Sequence, residues 1–299
     1  MSKKSKTDIQ QEITDLLITL IEDDELLPWQ CQWEQSNVTG LPYNFDTKQH
    51  YNGINILLLW GACHKFGFSS NAWLTFKQAD ALGGKVIKGS KSVRCVFYKQ
   101  ILIDDDTAED GKKAIPMLKT FNVFNLDQIE GLEVPESVVN EPLPHDEIIN
   151  DFVAFGNAYS EHANVPIKYS GQEAFYRPST DEIVMPEISR FHTSSAFGST
   201  LAHEIAHSTG HKKRLNRDKN LFKTSKENYA FEELVAEITS AIVCAEFGLS
   251  GEHVNHASYL KSWLKALKND KTYIFKAAAA ASKAHQFMID ATNIESRAA

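Results

Sequence analysis

Residues 199–211, STLAHEIAHSTGH, narrow what this chain can fold into more than any other stretch, because they contain His203-Glu204-Ile205-Ala206-His207. Two histidines four positions apart on a helix lie on one face, a turn from each other. A glutamate directly after the first is where a zinc-dependent hydrolase keeps its general base. Thr193 or Ser194 caps the helix ahead of the motif, Gly210 stops it, and Ala202, Ala206 and Ser208 keep its surroundings small.

A catalytic zinc takes three protein ligands and leaves one position for water. His203 and His207 supply two. The next helical stretch, FEELVAEITSA, offers Glu232, Glu233 and Glu237, with 25 residues between His207 and Glu233. In a gluzincin arrangement a glutamate of the following helix completes the site, so Glu233 is the expected third ligand. Glu237, one turn further on the same face, is expected to hydrogen-bond a ligand histidine and set its tautomer. Glu232 is expected on a different face, in solvent. Glu204 would serve as base. The donor for an oxyanion is Tyr229, His211 or Tyr176, among which the sequence does not choose. The metzincin pattern HExxHxxGxxH fails, since no histidine follows Gly210 at the required spacing, and His211 is expected to line the cleft. Zinc is the expected ion, with manganese or another divalent metal as the alternative.

At 299 residues there is room for two domains, each with its own core, and 42% hydrophobic with 23% charged residues describes a soluble globular chain. Cys31, Cys63, Cys95 and Cys244 form no C-x-x-C pair. They therefore make neither a disulfide framework nor a thiolate zinc site, and they suit a reducing compartment. The opening MSKKSKTDIQQE lacks the apolar core of a signal peptide, and no run is long enough to span a membrane, so a cytoplasmic protein with no membrane partner is expected. The net charge of −8 hides a basic window: residues 40–103 hold eight Lys and Arg against Asp46 and Asp80, a local +6.

The expected fold is α+β in two domains: an α+β domain at 1–135, a linker at 136–145, and a mainly helical domain with a small edge sheet at 146–299. Ile9, Ile13, Leu16, Leu17 and Leu20 mark a first helix capped by Thr7 or Asp8. Helices follow within 50–67 and at 75–82, then strands at 92–103 and 119–126 with an exposed acidic hairpin loop between them. In the second half EIINDFVAFGNAYSEHA is helical, and IKYSGQEAFYRPSTDEIVMP reads as two or three short strands with a PSTD turn. The HEIAH helix comes next, then the basic loop HKKRLNRDK, read as solvated with DNA contact as the alternative. A long helix follows from about 226 to 247, ended by Gly248, and two more lie at 255–268 and 271–292.

Single-stranded nucleic acid needs cations for phosphates and flat side chains for bases. The basic window interleaves Tyr43, Phe45, Tyr51, Trp60, Phe66, Phe68, Trp73, Phe76, Phe97 and Tyr98, although aromatics of a small domain are mostly core, as Trp60 in NILLLWGA must be. The order PWQCQW, LPYNFDTKQHYNGINILLLW, NAWLTFKQADALGGKVIKGSKS and FNVFNLDQIEGL resembles the N-terminal domain of ArdC-type antirestriction proteins. FYRPSTDEIVMPE, LAHEIAHSTGHKKRLNR and YAFEELVAEI resemble the zincin-like metallopeptidase domain that follows it in that family.

The resemblance implies a plasmid-borne protein that protects entering DNA from host restriction during conjugation. It also implies an N-terminal domain that binds single-stranded DNA, followed by a domain similar in fold to SprT-like proteases. It carries over His203, His207 and Glu233 as metal ligands and Glu204 as base. For DNA it points at Tyr51, Asn52, Trp73, Thr75, Lys77, Gln78, Lys85, Lys88 and Lys91, each of which has a structural alternative. The protein substrate would be DNA-associated or restriction-related. Two rival readings remain: a protein that only coats single-stranded DNA, with a structural or inactive metal site, and a soluble gluzincin protease with a non-DNA regulatory domain.

Overall fold

A computed structural model describes residues 8–24, 27–29, 40–104, 112–132, 145–217, 226–249 and 257–292. The expected linker lies outside the described residues except for His145, as do Thr7, Cys31 and most of the acidic hairpin loop.

The N-terminal half opens with helix α1 (Ile9–Asp24). Its inward stripe is Ile13, Leu17, Leu20 and Ile21, whereas Leu16, expected in that stripe, is 41% exposed. Residues 13, 17, 20 and 21 share a face on a 3.6-residue helix, and Leu16 stands at its rim. Strand β1 (Tyr43–Asn44) and helix α2 (Ile54–Phe66) follow. Residues 54–63 of α2 are buried, and Gly67, in the left-handed region, ends the helix. Next come β2 (Ala72–Leu74), helix α3 (Phe76–Ala81) and β3 (Lys85–Val86). The long strands β4 (Val93–Asp104) and β5 (Lys112–Asn125) pair antiparallel from Val93–Val123 to Asp104–Lys112, as the hairpin reading expected. They close a sheet of order β1-β2-β5-β4, while β3 pairs with β6 (Ile129–Glu130) in a separate ribbon.

The second half starts with helix α4 (His145–Ala163). A small sheet of order β7-β9-β8 follows, from β7 (Ile167–Tyr169), β8 (Phe175–Arg177) and β9 (Glu182–Met185). Asp181, at the end of the PSTD turn, takes a positive φ of 55°, a conformation aspartate tolerates better than most residues. Helices α5 (Ser194–Thr209), α6 (Lys226–Glu246), α7 (Ala257–Asn269) and α8 (Tyr273–Thr292) complete the chain. The mixed α+β class with a mainly helical second half is as expected.

The first half shares its core with the second. One apolar cluster runs from α1, α2 and the β4–β5 sheet into α6, α7 and α8, and includes Leu17, Leu57, Trp60 and Cys95 together with Leu234, Trp263 and Ala278. Polar ties follow the same seam: Thr14 Oγ1 donates to the Lys271 carbonyl at 2.9 Å, and the Gly53 amide donates to Ser282 Oγ at 2.9 Å. Lys268 pairs with Glu22, and Lys271 with Asp8. A second cluster packs α4, β7 and β9 against α5 and the far side of α6, through Phe152, Phe155, Phe197 and Leu201. Helix α6 is thus shared by both cores, and its early turns carry Glu232 and Glu233.

Candidate metal centre and nucleic-acid face

Helix α5 starts at Thr193, whose hydroxyl accepts from the Ala196 amide at 3.0 Å. This is the side-chain cap expected there. It runs with Phe197, Leu201 and Ile205 in the core, which places His203, Glu204 and His207 on the face towards α6 and a cavity of about 530 Å³. Gly210 is not a left-handed stop, since its φ is −70°. It is there for space: a Cβ would sit 3.1 Å from the His207 carbonyl and 3.2 Å from both Arg217 Nη2 and Glu232 Oε1.

His203, His207 and Glu233 turn ligand atoms towards one point. The two Nε2 atoms are 3.0 Å apart, and Glu233 lies 3.6 Å from His203 Nε2 and 3.4 Å from His207 Nε2. Ligand atoms about 2.0–2.2 Å from a tetrahedral ion stand about 3.3–3.6 Å from one another. This donor set therefore fits a divalent ion with two imidazoles and a carboxylate. The opposite nitrogens are also provided for. His203 Nδ1 faces Glu237 at 3.6 Å, and His207 Nδ1 faces Glu232 at 3.5 Å. A proton held at each Nδ1 leaves each Nε2 lone pair free for metal.

Electrostatics favour a cation here. Burial works against protonating His207, yet Glu232 and Glu233 outweigh it and push its pKa up to about 10. Burial would raise Glu233, but the two imidazoles hold it well below the usual carboxylate range. The acidic surroundings that favour positive charge on His207 also favour a divalent cation beside it.

Glu232 corrects the sequence reading: it is 5% exposed and bound to Arg217, not solvated. The basic loop is solvated only in part where it is described: Lys212, Lys213 and Asn216 are exposed, whereas Arg214 and Arg217 turn inwards. Arg214 donates to Asp181 Oδ1 at 2.5 Å and to the Tyr176 hydroxyl at 3.2 Å, tying the loop to the β8–β9 hairpin that walls the cavity. Tyr176 in turn donates to Asp181 at 2.8 Å. His211 is buried beside Asp181 at 3.5 Å. Among the three oxyanion candidates Tyr229 is 50% exposed at the cavity, with its phenol by Glu233 and Tyr259. The sequence signal missed for Arg214 and Arg217 was their charge, which reads as surface until buried acids are found opposite.

The expected DNA residues divide by burial. Lys77, Lys85, Lys88, Lys91 and Asn52 are exposed. Trp73 is not available for stacking: it is 0% exposed, edge-on to Phe68 with centroids 5.8 Å apart. Thr75 and Gln78 form the capping box of α3, so their polar atoms are largely committed to the fold. In GGKVIKG, Gly83 and Gly89 take positive φ as turns. The half-buried Tyr51 lies nearly parallel to Phe121 at 6.4 Å, and Phe97 lies 6.0 Å from Phe121. Phe97 is 42% exposed and pairs across the sheet with the exposed Lys119.

Residues 7–124 match the N-terminal domain of the anti-restriction factor ArdC, and residues 156–280 match a zincin-like metallopeptidase domain. The metal-free crystal structure of the antirestriction protein ArdC from plasmid R388 is similar with a TM-score of 0.79 at 36% identity, covering 97% of this chain and 100% of that one. The Mn(II)-bound structure gives 0.77 at 35%, covering 96% and 98%. Uncharacterized protein y4eC of Sinorhizobium fredii is 34% identical over 95% of this chain and 92% of its own length. Two DNA primases TraC of Escherichia coli are 35% and 33% identical over 88% of this chain, which spans only 18% and 25% of them. Among the described residues no helix is long and apolar enough to cross a membrane. Carrying both matched domains in order, and aligned with R388 ArdC along nearly its whole length, the chain belongs to the ArdC-type antirestriction family.

Proposed function

We propose that this protein binds single-stranded DNA through its N-terminal half and hydrolyses peptide bonds of nearby proteins at the His203-His207-Glu233 centre, as a plasmid-borne, cytoplasmic factor protecting incoming DNA during conjugation. The observation that carries the catalytic part is Glu204. It borders the same cavity as the three ligand atoms without being one of them, and a purely structural metal needs no such carboxylate.

Zinc, or manganese as in the R388 relative, would supply Lewis acidity to polarise the scissile carbonyl and acidify water. Glu204 takes the proton of the attacking water as its oxygen bonds to the carbonyl carbon, and returns it to the amine nitrogen as the C–N bond breaks. Tyr229, the cavity phenol left half-exposed, is the donor best placed for the oxyanion. For DNA, the platform of Tyr51, Phe121 and Phe97 with Lys119 offers faces for bases, and Lys77, Lys85, Lys88 and Lys91 offer charge for phosphates. A DNA-associated or restriction-related protein is the substrate in this reading.

Glu204→Gln in the full chain tests the proposal. Peptide hydrolysis is expected to fall by about 10²–10⁴-fold, with zinc binding and salt-dependent affinity for single-stranded oligonucleotides unchanged. Full protection by this variant in a conjugation assay would shift the function to DNA coating alone. Absence of any preference for single strands in the wild type would leave a soluble protease.

A further inference from the structure

We propose that Arg217 is a positioning residue of the metal centre: it clamps Glu232 against Nδ1 of His207, so that this imidazole presents Nε2 to the ion and Glu232 itself stays off it. The inference rests on reading His203, His207 and Glu233 as metal ligands, and not on peptide hydrolysis.

Arg217 lies ten residues past His207, and its side chain is 12% exposed. Its guanidinium reaches Glu232 twice, Nε to Oε2 at 3.1 Å and Nη2 to Oε1 at 2.8 Å. The remaining contacts go to the last turn of α5: Nη1 to Thr209 Oγ1 at 2.8 Å and Nη2 to the Ala206 carbonyl at 2.8 Å. One planar group thereby fixes the end of the ligand helix and the acid behind the second ligand. A forked donor can hold a carboxylate in one orientation, which a lysine cannot. The clamp has had room made for it, because any side chain at position 210 would crowd both Arg217 Nη2 and Glu232 Oε1.

Glu232 and Glu233 are adjacent on α6 and both reach His207, one at each ring nitrogen. Chemically they are identical, so something must decide which binds the ion. The bidentate Arg217 contact makes that decision: it occupies both oxygens of Glu232 and leaves Glu233 as ligand. His203 is faced on its far side by Glu237, at 3.6 Å from Nδ1, whereas the Arg217 clamp sits behind His207.

The test is metal affinity in the full chain, measured for Zn(II) and Mn(II) by competition with a chromophoric chelator, beside the thermal midpoint of the metal-free protein and the visible spectrum of the Co(II)-loaded protein. Losing a partner of this kind typically weakens metal binding by about 10–100-fold. Arg217→Met and Glu232→Ala are expected to fall in that range, and the Co(II) bands are expected to change as the ligand set is disturbed. Arg217→Met also removes contacts to the end of α5, so Glu232→Gln, which keeps them, is the second variant. It keeps an acceptor for Nδ1 but loses the paired charge, and is expected to lose less metal affinity than Glu232→Ala with a near-normal midpoint. Wild-type affinity and Co(II) spectrum in Glu232→Ala would overturn the inference, as would lowered midpoints with unchanged metal binding, which mark a merely structural pair. Wild-type protein that binds no divalent ion would overturn the metal-centre reading and this inference with it. Metal binding without peptidase activity would remove only the catalytic reading.

Discussion

Trp73 and Phe97 belong to the same basic window, residues 40–103, but sit in opposite surroundings. Trp73 is wholly enclosed, so Trp73→Ala is expected to cost about 3–5 kcal/mol of stability. Phe97 is 42% exposed beside Phe121, so Phe97→Ala is expected to lose about 1–3 kcal/mol of single-strand binding with little change in stability. Chemical denaturation and oligonucleotide titration of both variants check this pair. Selective loss of DNA binding in Trp73→Ala would reverse the assignment. The same limit on single residues governs the acids of α6. Glu233 and Glu237 could be read from i, i+4 spacing, whereas Glu232 could not. An isolated helix turns successive residues about 100° apart, which sends Glu232 outwards if only one narrow stripe is buried. Here α6 lies between two cores, and Glu232, Glu233, Ala236 and Glu237 are all buried.

At the scale of elements, the β8–β9 hairpin, the end of α5 and the loop after it act as one assembly around Asp181. Burial would raise the Asp181 pKa, but Arg214, Tyr176 and Lys213 outweigh it and hold the carboxyl well below its usual range. A carboxyl depressed in the folded state contributes stability above its unfolded pKa of about 3.9 and loses it as pH falls. Asp181→Asn leaves Arg214 buried without its charge partner and is expected to cost about 3–5 kcal/mol at neutral pH. That gap should narrow below about pH 4, as Asp181 of the unfolded wild-type chain takes up a proton that the folded state does not. Urea midpoints of the two proteins from pH 7 to pH 3 check it, and a constant gap would exclude the coupling. The PSTD turn and the HEIAH helix were each legible alone. Their connection through Arg214 was not, because the partners are 33 residues apart and a loop arginine carries no periodic signal.

For the whole molecule, the shared core predicts one folding unit. Trp29 meets Trp263 with ring centroids 6.0 Å apart, and the Trp263 indole donates to the Ala230 carbonyl at 2.7 Å, close to Glu233 along α6. The full chain is expected to unfold in one calorimetric transition, and a 145–299 fragment to bind a hydrophobic dye and lose its near-ultraviolet dichroism. Two transitions matching those of the separate halves would show independent domains. The sequence by itself determined the helices and the central hairpin through their periodicities, the shared face of His203 and His207 with Glu204 beside them through one helical turn, and the family through long ordered motifs. All of these are local patterns that one element can carry. Tertiary structure alone decided that the halves share a core, that Trp73 is enclosed, and that Glu232, Arg214 and Arg217 face inwards. These depend on which surfaces meet, and a buried charge is tolerated only where its partner arrives from another part of the chain.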